Sequence, residues 1–272
     1  MKPSTDAVKR HPLVTFFALS YATFYFAMGM RELFPTDLWF LFIYGTFVAA
    51  LLVSSIQGGP SARRELLSRM TRWRVGWYWY AIALGFPIAL RLIAFGANLA
   101  LEAPTPSASQ LDAWPDMIAS FLFTLIIVAV GEEPGFRGFA LTRMLQGRSA
   151  LSAALWMGVL VSGWHLPLFV TGNDPPTIIP VIIGGAVMIT WVYINTNGSV
   201  LLTMLIHASV GATPEFFNEL SDGKYETQQT VLLAIAYCVM AAVLVAVLGP
   251  SLKGRRLSPE SATAPVASST AS

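Results

Sequence analysis

The sequence predicts an all-α, polytopic membrane protein of about eight transmembrane helices with both termini cytoplasmic. Three observations carry that prediction. Only 12% of the 272 residues are charged and 55% are hydrophobic, whereas an ordinary soluble domain is about 25% charged; mean hydropathy is +0.61. The apolar residues gather in runs that reach the roughly 20 residues needed to cross a bilayer. The basic residues collect on alternate connections between those runs, as the positive-inside rule requires. This composition argues against a cytosolic globular enzyme, a disordered chain or a nucleic-acid binder. With 17 basic against 15 acidic side chains, no acidic partner is implied.

In chain order, residues 1–13 form a cytoplasmic tail and the predicted spans cover 14–30, 38–56, 76–100, 117–133, 151–170, 178–194, 199–213 and 230–249. The first run carries Tyr21 and Tyr25 and lacks a small-x-small site before Arg31, so it reads as a retained span and not as a cleaved signal peptide. The aromatic cluster Trp73, Trp77, Tyr78, Trp79 and Tyr80 beside a basic loop reads as an interfacial belt. Gly184-Gly185 reads as a close helix contact. Three blocks follow: N-terminal spans over 14–116, a central block over 117–212, and an outer loop with the last span over 213–249. The Ser-, Ala-, Thr- and Pro-rich tail 250–272 reads as disordered and cytoplasmic. Even-numbered connections and the termini hold Lys2, Lys9, Arg10, Arg63, Arg64, Arg69, Arg72, Arg74, Arg137, Arg143, Arg148, Lys253, Arg255 and Arg256. Arg31 and Lys224 alone fall on odd-numbered connections, and Arg91 lies inside a span. The lone Cys238 excludes a disulfide framework.

Ionisable groups in lipid are costly, so those in or beside spans are functional candidates: Arg91, Glu132, Glu133, Arg137, His165 and His207. Arg91 reads as a structural residue that reaches the interface or neutralises an internal carboxylate. Arg137 follows Glu133 by four residues, the spacing at which the two meet on a helix; that pairing leaves Glu132, turned about 100° away, free. Pro134, Pro167 and Pro214 free the carbonyls of Val130, Gly163 and Val210 and favour kinks. Freed backbone at membrane depth belongs where it is buried in protein or lines a polar cavity. A carboxylate and an imidazole in such a cavity can activate water toward a carbonyl while a second imidazole stabilises the oxyanion. Glu132, His165 and His207 could equally hold a divalent metal such as zinc, although no HExxH helix is present. Depth is the difficulty: His207 lies about 12 Å and His165 about 21 Å from the cytoplasmic face, while Glu132 sits at the end of its run. They converge if the fourth helix tilts or continues past Pro134.

These residues, in this order, resemble the CAAX-protease and bacteriocin-processing (CPBP) family of intramembrane proteases. Glu132-Glu133-Pro134-Gly135-Phe136-Arg137 matches E-E-x-x-x-R, and Gly138-Phe139-Ala140-Leu141 is similar to its bacterial continuation. His165 matches an F-x-x-x-H span with Val161 in the aromatic's place, and His207 begins an H-x-x-x-N motif whose last position is Gly211. The resemblance implies a protease core over 117–212 in which Glu132 and His165 activate water, His207 supports the oxyanion, and Glu133 and Arg137 hold the motif in shape. It implies a membrane-associated peptide or protein substrate in the bilayer, and a multi-pass protein of the bacterial plasma membrane.

Three readings follow. The first is an intramembrane endopeptidase opening toward the cytoplasmic side, metal-assisted or not. The second, motivated by Gly211, is a non-catalytic membrane adaptor or bacteriocin self-immunity protein on the same scaffold. If Gly211 is a handicap, Ser209, Asn218, a backbone N–H or a water would have to supply the missing donor, and Gly211→Asn should raise turnover. The third is a small proton-coupled transporter using Glu132 and the histidines as a relay; the missing inverted repeat speaks against it.

Overall fold

The computed structural model describes residues 3–33 and 39–253, which form helices and turns. Seven of the described helical segments are long and apolar enough to cross a membrane, and Ala150–Trp164 is a shorter apolar helix. The principal helices are α1 (Pro12–Leu33), α2 (Tyr44–Met70), α3 (Trp77–Ala100), α4 (a continuous helical run over 116–144), α5 (Ala150–Trp164), α6 (Ile179–Asn195), α7 (Val200–Gly211) and α8 (Lys224–Leu248). Val14, Phe26, Ile93, Ile126, Trp156 and Val247 face outward, an apolar exterior that only a lipid solvent makes favourable. The protein is an integral, multi-pass membrane protein.

Hydrogen bonds between loops sort the connections into two ends. At one end Arg72 donates from Nη1 to the Asn197 carbonyl (2.6 Å), Ser199 Oγ donates to the Arg72 carbonyl (2.7 Å) and Asn195 Nδ2 to the Leu252 carbonyl (2.9 Å). At the other, Gln110 Nε2 donates to the Glu219 carbonyl (2.7 Å) and Arg31 Nη1 to Asn173 Oδ1 (3.3 Å). The short connection after α6 turns through left-handed Asn197 (φ 54°) and Gly198 (φ 73°). Ser199 then caps α7 by accepting from the Leu202 N–H.

Several boundaries differ from the sequence reading. α2 runs on to Met70, bending at Gly59 (φ 63°) before Pro60, so much of the expected basic loop is helix. The aromatic belt holds at Trp73, Trp77 and Tyr78, which are exposed, but Trp79 is buried against Trp191. Residues 250–253 pack onto the bundle, with Leu252 fully buried. The rest of the tail expected to be disordered lies outside the described residues. Gly184 does let α8 approach, since a Cβ there would meet the Tyr237 carbonyl oxygen at 2.9 Å.

The largest difference is α4. It does not end near residue 133 but continues through Met144, with π-helical stretches at Thr124–Ala129 and Pro134–Leu141. Proline cannot donate to the carbonyl four residues back, and the wider π turn absorbs that loss without a break. Gly131, Gly135 and Gly138 then form a small-residue face: a Cβ at each would meet Ile43 (2.9 Å), Thr46 (2.6 Å) and Leu66 (2.7 Å) respectively. Close backbone approach of this kind is how helices associate without a hydrophobic drive in lipid. It draws the segment 131–141 into the bundle centre, where residues 131–141 are all buried. Arg137, counted from sequence among the cytoplasmic loop residues, is therefore an interior residue.

Candidate active site

Glu132 lies twelve residues before the end of α4 at Met144, or about 18 Å from the basic end of the bundle. The continuation past Pro134 brings it to the level of the histidines. Glu132, Arg137, His165 and His207 all line one cavity of about 370 Å³.

Each side chain is oriented differently. Glu133 lies behind the cavity, fully buried. Its Oε1 accepts from Arg137 Nη1 at 2.7 Å and from His207 Nδ1 at 2.8 Å. The helical spacing read from sequence is thus occupied, and the pair reaches across to α7. Because an ionised carboxylate only accepts, His207 must carry a proton on Nδ1. Its Nε2 then donates only when the ring holds both protons.

His165 stands at the end of α5, where the chain turns before Leu166 and Pro167. Its Nδ1–H donates to the Val161 carbonyl at 2.9 Å, which leaves Nε2 as the basic nitrogen of the neutral ring. Trp164 meets the ring edge-on at 5.1 Å and Phe169 stacks on it at 6.3 Å. Trp164 is in turn stacked on Phe24 and donates to the Ser20 carbonyl (3.3 Å). The carbonyls freed at Gly163 and Val210 find donors in Tyr25 Oη (2.5 Å) and Thr213 Oγ1 (3.1 Å), and the Leu160 carbonyl also accepts from Tyr21 Oη.

Glu132 is the contrast. It is buried, it has no hydrogen bond among the described residues, and its Oε2 is enclosed without a partner. A carboxylate left unpaired beside two anchored imidazoles is a proton acceptor awaiting a donor. Among the described residues no three His, Cys, Asp or Glu side chains are grouped so as to hold an ion. The trio Glu132, His165 and His207 expected as a possible zinc set is therefore not grouped as a ligand set.

Other expectations are corrected. Ser209 Oγ donates to the Leu84 carbonyl on α3 (2.6 Å) and does not line the cavity, whereas Asn218 does. Gly211 is a packing residue, since a Cβ there would meet Thr124 Cγ2 at 2.6 Å. The loop-borne lining, Asn173, Asp174, Pro175, Pro214 and Asn218, comes from the end opposite the basic loops, not from the cytoplasmic side the sequence suggested. Asp174 was missed because nothing local marks a loop carboxylate as part of a cavity. Burial holds its carboxyl above the ordinary carboxylate range, against the pull of nearby His165. Arg91 neither reaches the interface nor pairs with a carboxylate; it is buried and lines the same cavity.

Residues 114–213 match the family described as Rce1-like, Type II CAAX prenyl endopeptidase. The chain is also similar to CAAX prenyl protease 2 of Methanococcus maripaludis, 26% identical over 132 residues. That match covers 42% of this chain and 47% of the relative, so the chain spans about half the length of the curated relative it matches. Both point the same way: over residues 114–213, the stretch that contains all five motif residues, the chain is similar to Rce1-like CAAX prenyl endopeptidases.

Proposed function

We propose that this protein is an intramembrane endopeptidase of CAAX-protease type that hydrolyses a peptide bond of a membrane-associated substrate. The observation that carries the reading is the unpartnered Glu132 carboxylate in one cavity with two histidines whose Nδ1 atoms are both committed elsewhere.

Glu132 accepts a proton from a water while His165 Nε2 accepts the water's other hydrogen bond and orients it. The resulting hydroxide attacks the carbonyl carbon. With both ring protons present, His207 Nε2–H donates to the oxyanion while Glu133 holds its Nδ1–H, and Asn218 offers an amide to the same cavity. Collapse of the tetrahedral intermediate breaks the C–N bond, and Glu132 returns its proton to the departing amine. Glu133 and Arg137 touch no reacting atom; they position His207. Preorganised donors and a positioned base of this kind supply the main terms in acyl-transfer catalysis. The similarity of Gly138–Leu141 to bacterial members supports a bacterial plasma membrane.

A second reading, a non-catalytic adaptor or self-immunity protein, is favoured by one observation: no side chain is available at position 211 to complete the third motif. Purified protein in detergent, offered labelled membrane peptides beside Glu132→Gln and His165→Ala, separates the two. Turnover by wild type that both variants lose supports the protease. Equal residual signal in all three leaves the adaptor.

A further inference from the structure

A second cavity, of about 390 Å³, lies between α2 and the end of α4, with Ser54, Gln57, Glu65, Arg69, Thr142 and Arg143 on its wall. The bend of α2 at Gly59 borders it, since Gly58 also lines it. It shares no lining residue with the candidate active site, so it stands apart from the proposed reaction. It belongs to the basic end of the bundle, where Arg72 holds the turn after α6.

Its hydrogen bonds leave donors over and consume acceptors. Glu65 Oε1 takes Arg69 Nη2 (3.0 Å) and Arg72 Nη2 (2.7 Å). Gln57 Oε1 takes Nε (3.1 Å) and Nη2 (2.7 Å) of Arg143. Thr142 Oγ1 donates to the Gly138 carbonyl (2.8 Å) and accepts from Tyr193 Oη (2.6 Å), which accepts from Arg69 Nη1 (2.8 Å). Arg143 rests on the Phe139 ring at 3.6 Å, gives one Nη1 hydrogen to the Phe139 carbonyl (3.1 Å), and pairs with no carboxylate among the described residues. A guanidinium has five N–H groups, so one hydrogen on each terminal nitrogen is left. The Gln57 amide nitrogen and the Ser54 hydroxyl have no hydrogen bond among the described residues, although Ser54 is only 2% exposed. Its neighbour Ser55 bonds back to the Leu51 carbonyl (2.6 Å), as helical serines commonly do.

Three guanidiniums thus surround one carboxylate, and the spare groups are donors. That is the chemistry of an anion site, and guanidinium forks match phosphate oxygens. Basic pockets between helices at the end of a membrane bundle meet lipid head groups. An ammonium beside the phosphate, as in a choline head group, would be repelled by the guanidiniums and would find Glu65 already taken. Glycerol hydroxyls would instead meet Ser54 and Gln57.

We propose that this cavity binds the head group of an anionic phospholipid of the phosphatidylglycerol type, with Arg69 and Arg143 on the phosphate and Ser54 and Gln57 on the glycerol. The full chain, purified in detergent, is mixed with equal amounts of phosphatidylglycerol and phosphatidylcholine of matched acyl chains, and retained lipid is counted by native mass spectrometry. Phosphatidylglycerol should be retained at least about fivefold more, and Arg143→Gln should cut that preference about fivefold, the effect of one basic residue near an anionic lipid surface. Arg63→Gln with Arg64→Gln, which removes two exposed charges of α2 outside the cavity, should leave it unchanged. Because Arg143→Gln also breaks the contact with Gln57, Ser54→Ala, which removes an unpartnered hydroxyl, locates the site independently, with a loss of roughly 2- to 10-fold. A wild-type ratio near one, a preference unchanged in both Arg143→Gln and Ser54→Ala, or an equal loss in the Arg63 and Arg64 double variant overturns the proposal. sn-Glycerol 3-phosphate should displace the lipid only in large excess; displacement at equal concentration would give the cavity to a soluble phosphate and overturn the lipid assignment.

Discussion

The packing of Gly211 against Thr124 sets a sharp test, because it decides whether the incomplete third motif can be repaired. A Cβ at 211 would lie 2.6 Å from Thr124 Cγ2, 2.7 Å from Oγ1 and 3.1 Å from Cβ. Carbon atoms rest at about 3.5–4.0 Å, so α7 and the π-helical stretch of α4 would have to part by roughly 1 Å. Thr124 is buried and β-branched, so its side chain has little freedom to turn away. Overpacking of this kind costs about 1–3 kcal/mol, against a gain of about 1 kcal/mol from replacing a helical glycine by alanine. With two contacts about 1 Å inside van der Waals separation, the cost falls in the upper half of that range, so Gly211→Ala should lose about 1–2 kcal/mol, a fall of several degrees in thermal midpoint for a protein of this size. Thr124→Ala removes the two nearest atoms, and the double variant should recover most of the loss. Thermal unfolding of the four proteins in one detergent gives the coupling directly. A Gly211→Ala protein as stable as wild type, or a loss that Thr124→Ala does not relieve, would falsify the packing argument. Asparagine carries the same Cβ, so Gly211→Asn should destabilise and should not raise turnover.

Other outcomes follow from the same geometry. Glu132→Gln, which keeps the shape but cannot accept a proton, should lower kcat by about 10²–10⁴-fold, the range for a general base; peptide hydrolysis with unchanged kcat would remove Glu132 from the chemistry. Glu133→Gln strands Arg137 in the interior and should cost about 3–5 kcal/mol, while pairing it with Arg137→Met should cost less than either change alone suggests. Denaturation of the set checks this, and additive losses would mean the pair is not coupled. Asp174 binds its proton more tightly folded than unfolded, so its contribution favours the fold at pH below the ordinary carboxylate range and is lost as pH rises. Asp174→Asn should therefore raise the thermal midpoint at pH 7 relative to wild type and leave it unchanged near pH 4; the reverse order would place Asp174 in a stabilising ion pair.

How much of this was legible depended on how local each signal was. Runs of apolar residues are local, and they yielded the seven helices long enough to cross a membrane, the shorter apolar α5 and the uncharged turn before α7. The Glu133–Arg137 pair was legible from its spacing, and His165 and His207 were conspicuous as the histidines inside apolar runs. The course of α4 was not legible, because Pro134 reads as a kink whether or not a π turn absorbs it. The glycine face 131, 135 and 138 that draws this segment inward is meaningful only once α2 is opposite it. Arg91 was visible as an oddity, but its lack of a carboxylate partner is a property of three other helices. The same holds for Gly211: a sequence shows a missing amide, and only Thr124 shows why there is no room for one.

The interior charges also explain why two adjacent glutamates are useful. A membrane interior tolerates charge best when it is paired. Glu133, Arg137 and His207 form one hydrogen-bonded set, which fixes α4 to α7 and consumes the charge that would otherwise neutralise Glu132. Glu132 and Arg91 remain, of opposite sign, facing one cavity but not within ion-pair distance of each other. Direct contact between them would satisfy both and leave no base. In the proposed reaction Glu132 is thereby left to act through a water on the scissile carbonyl.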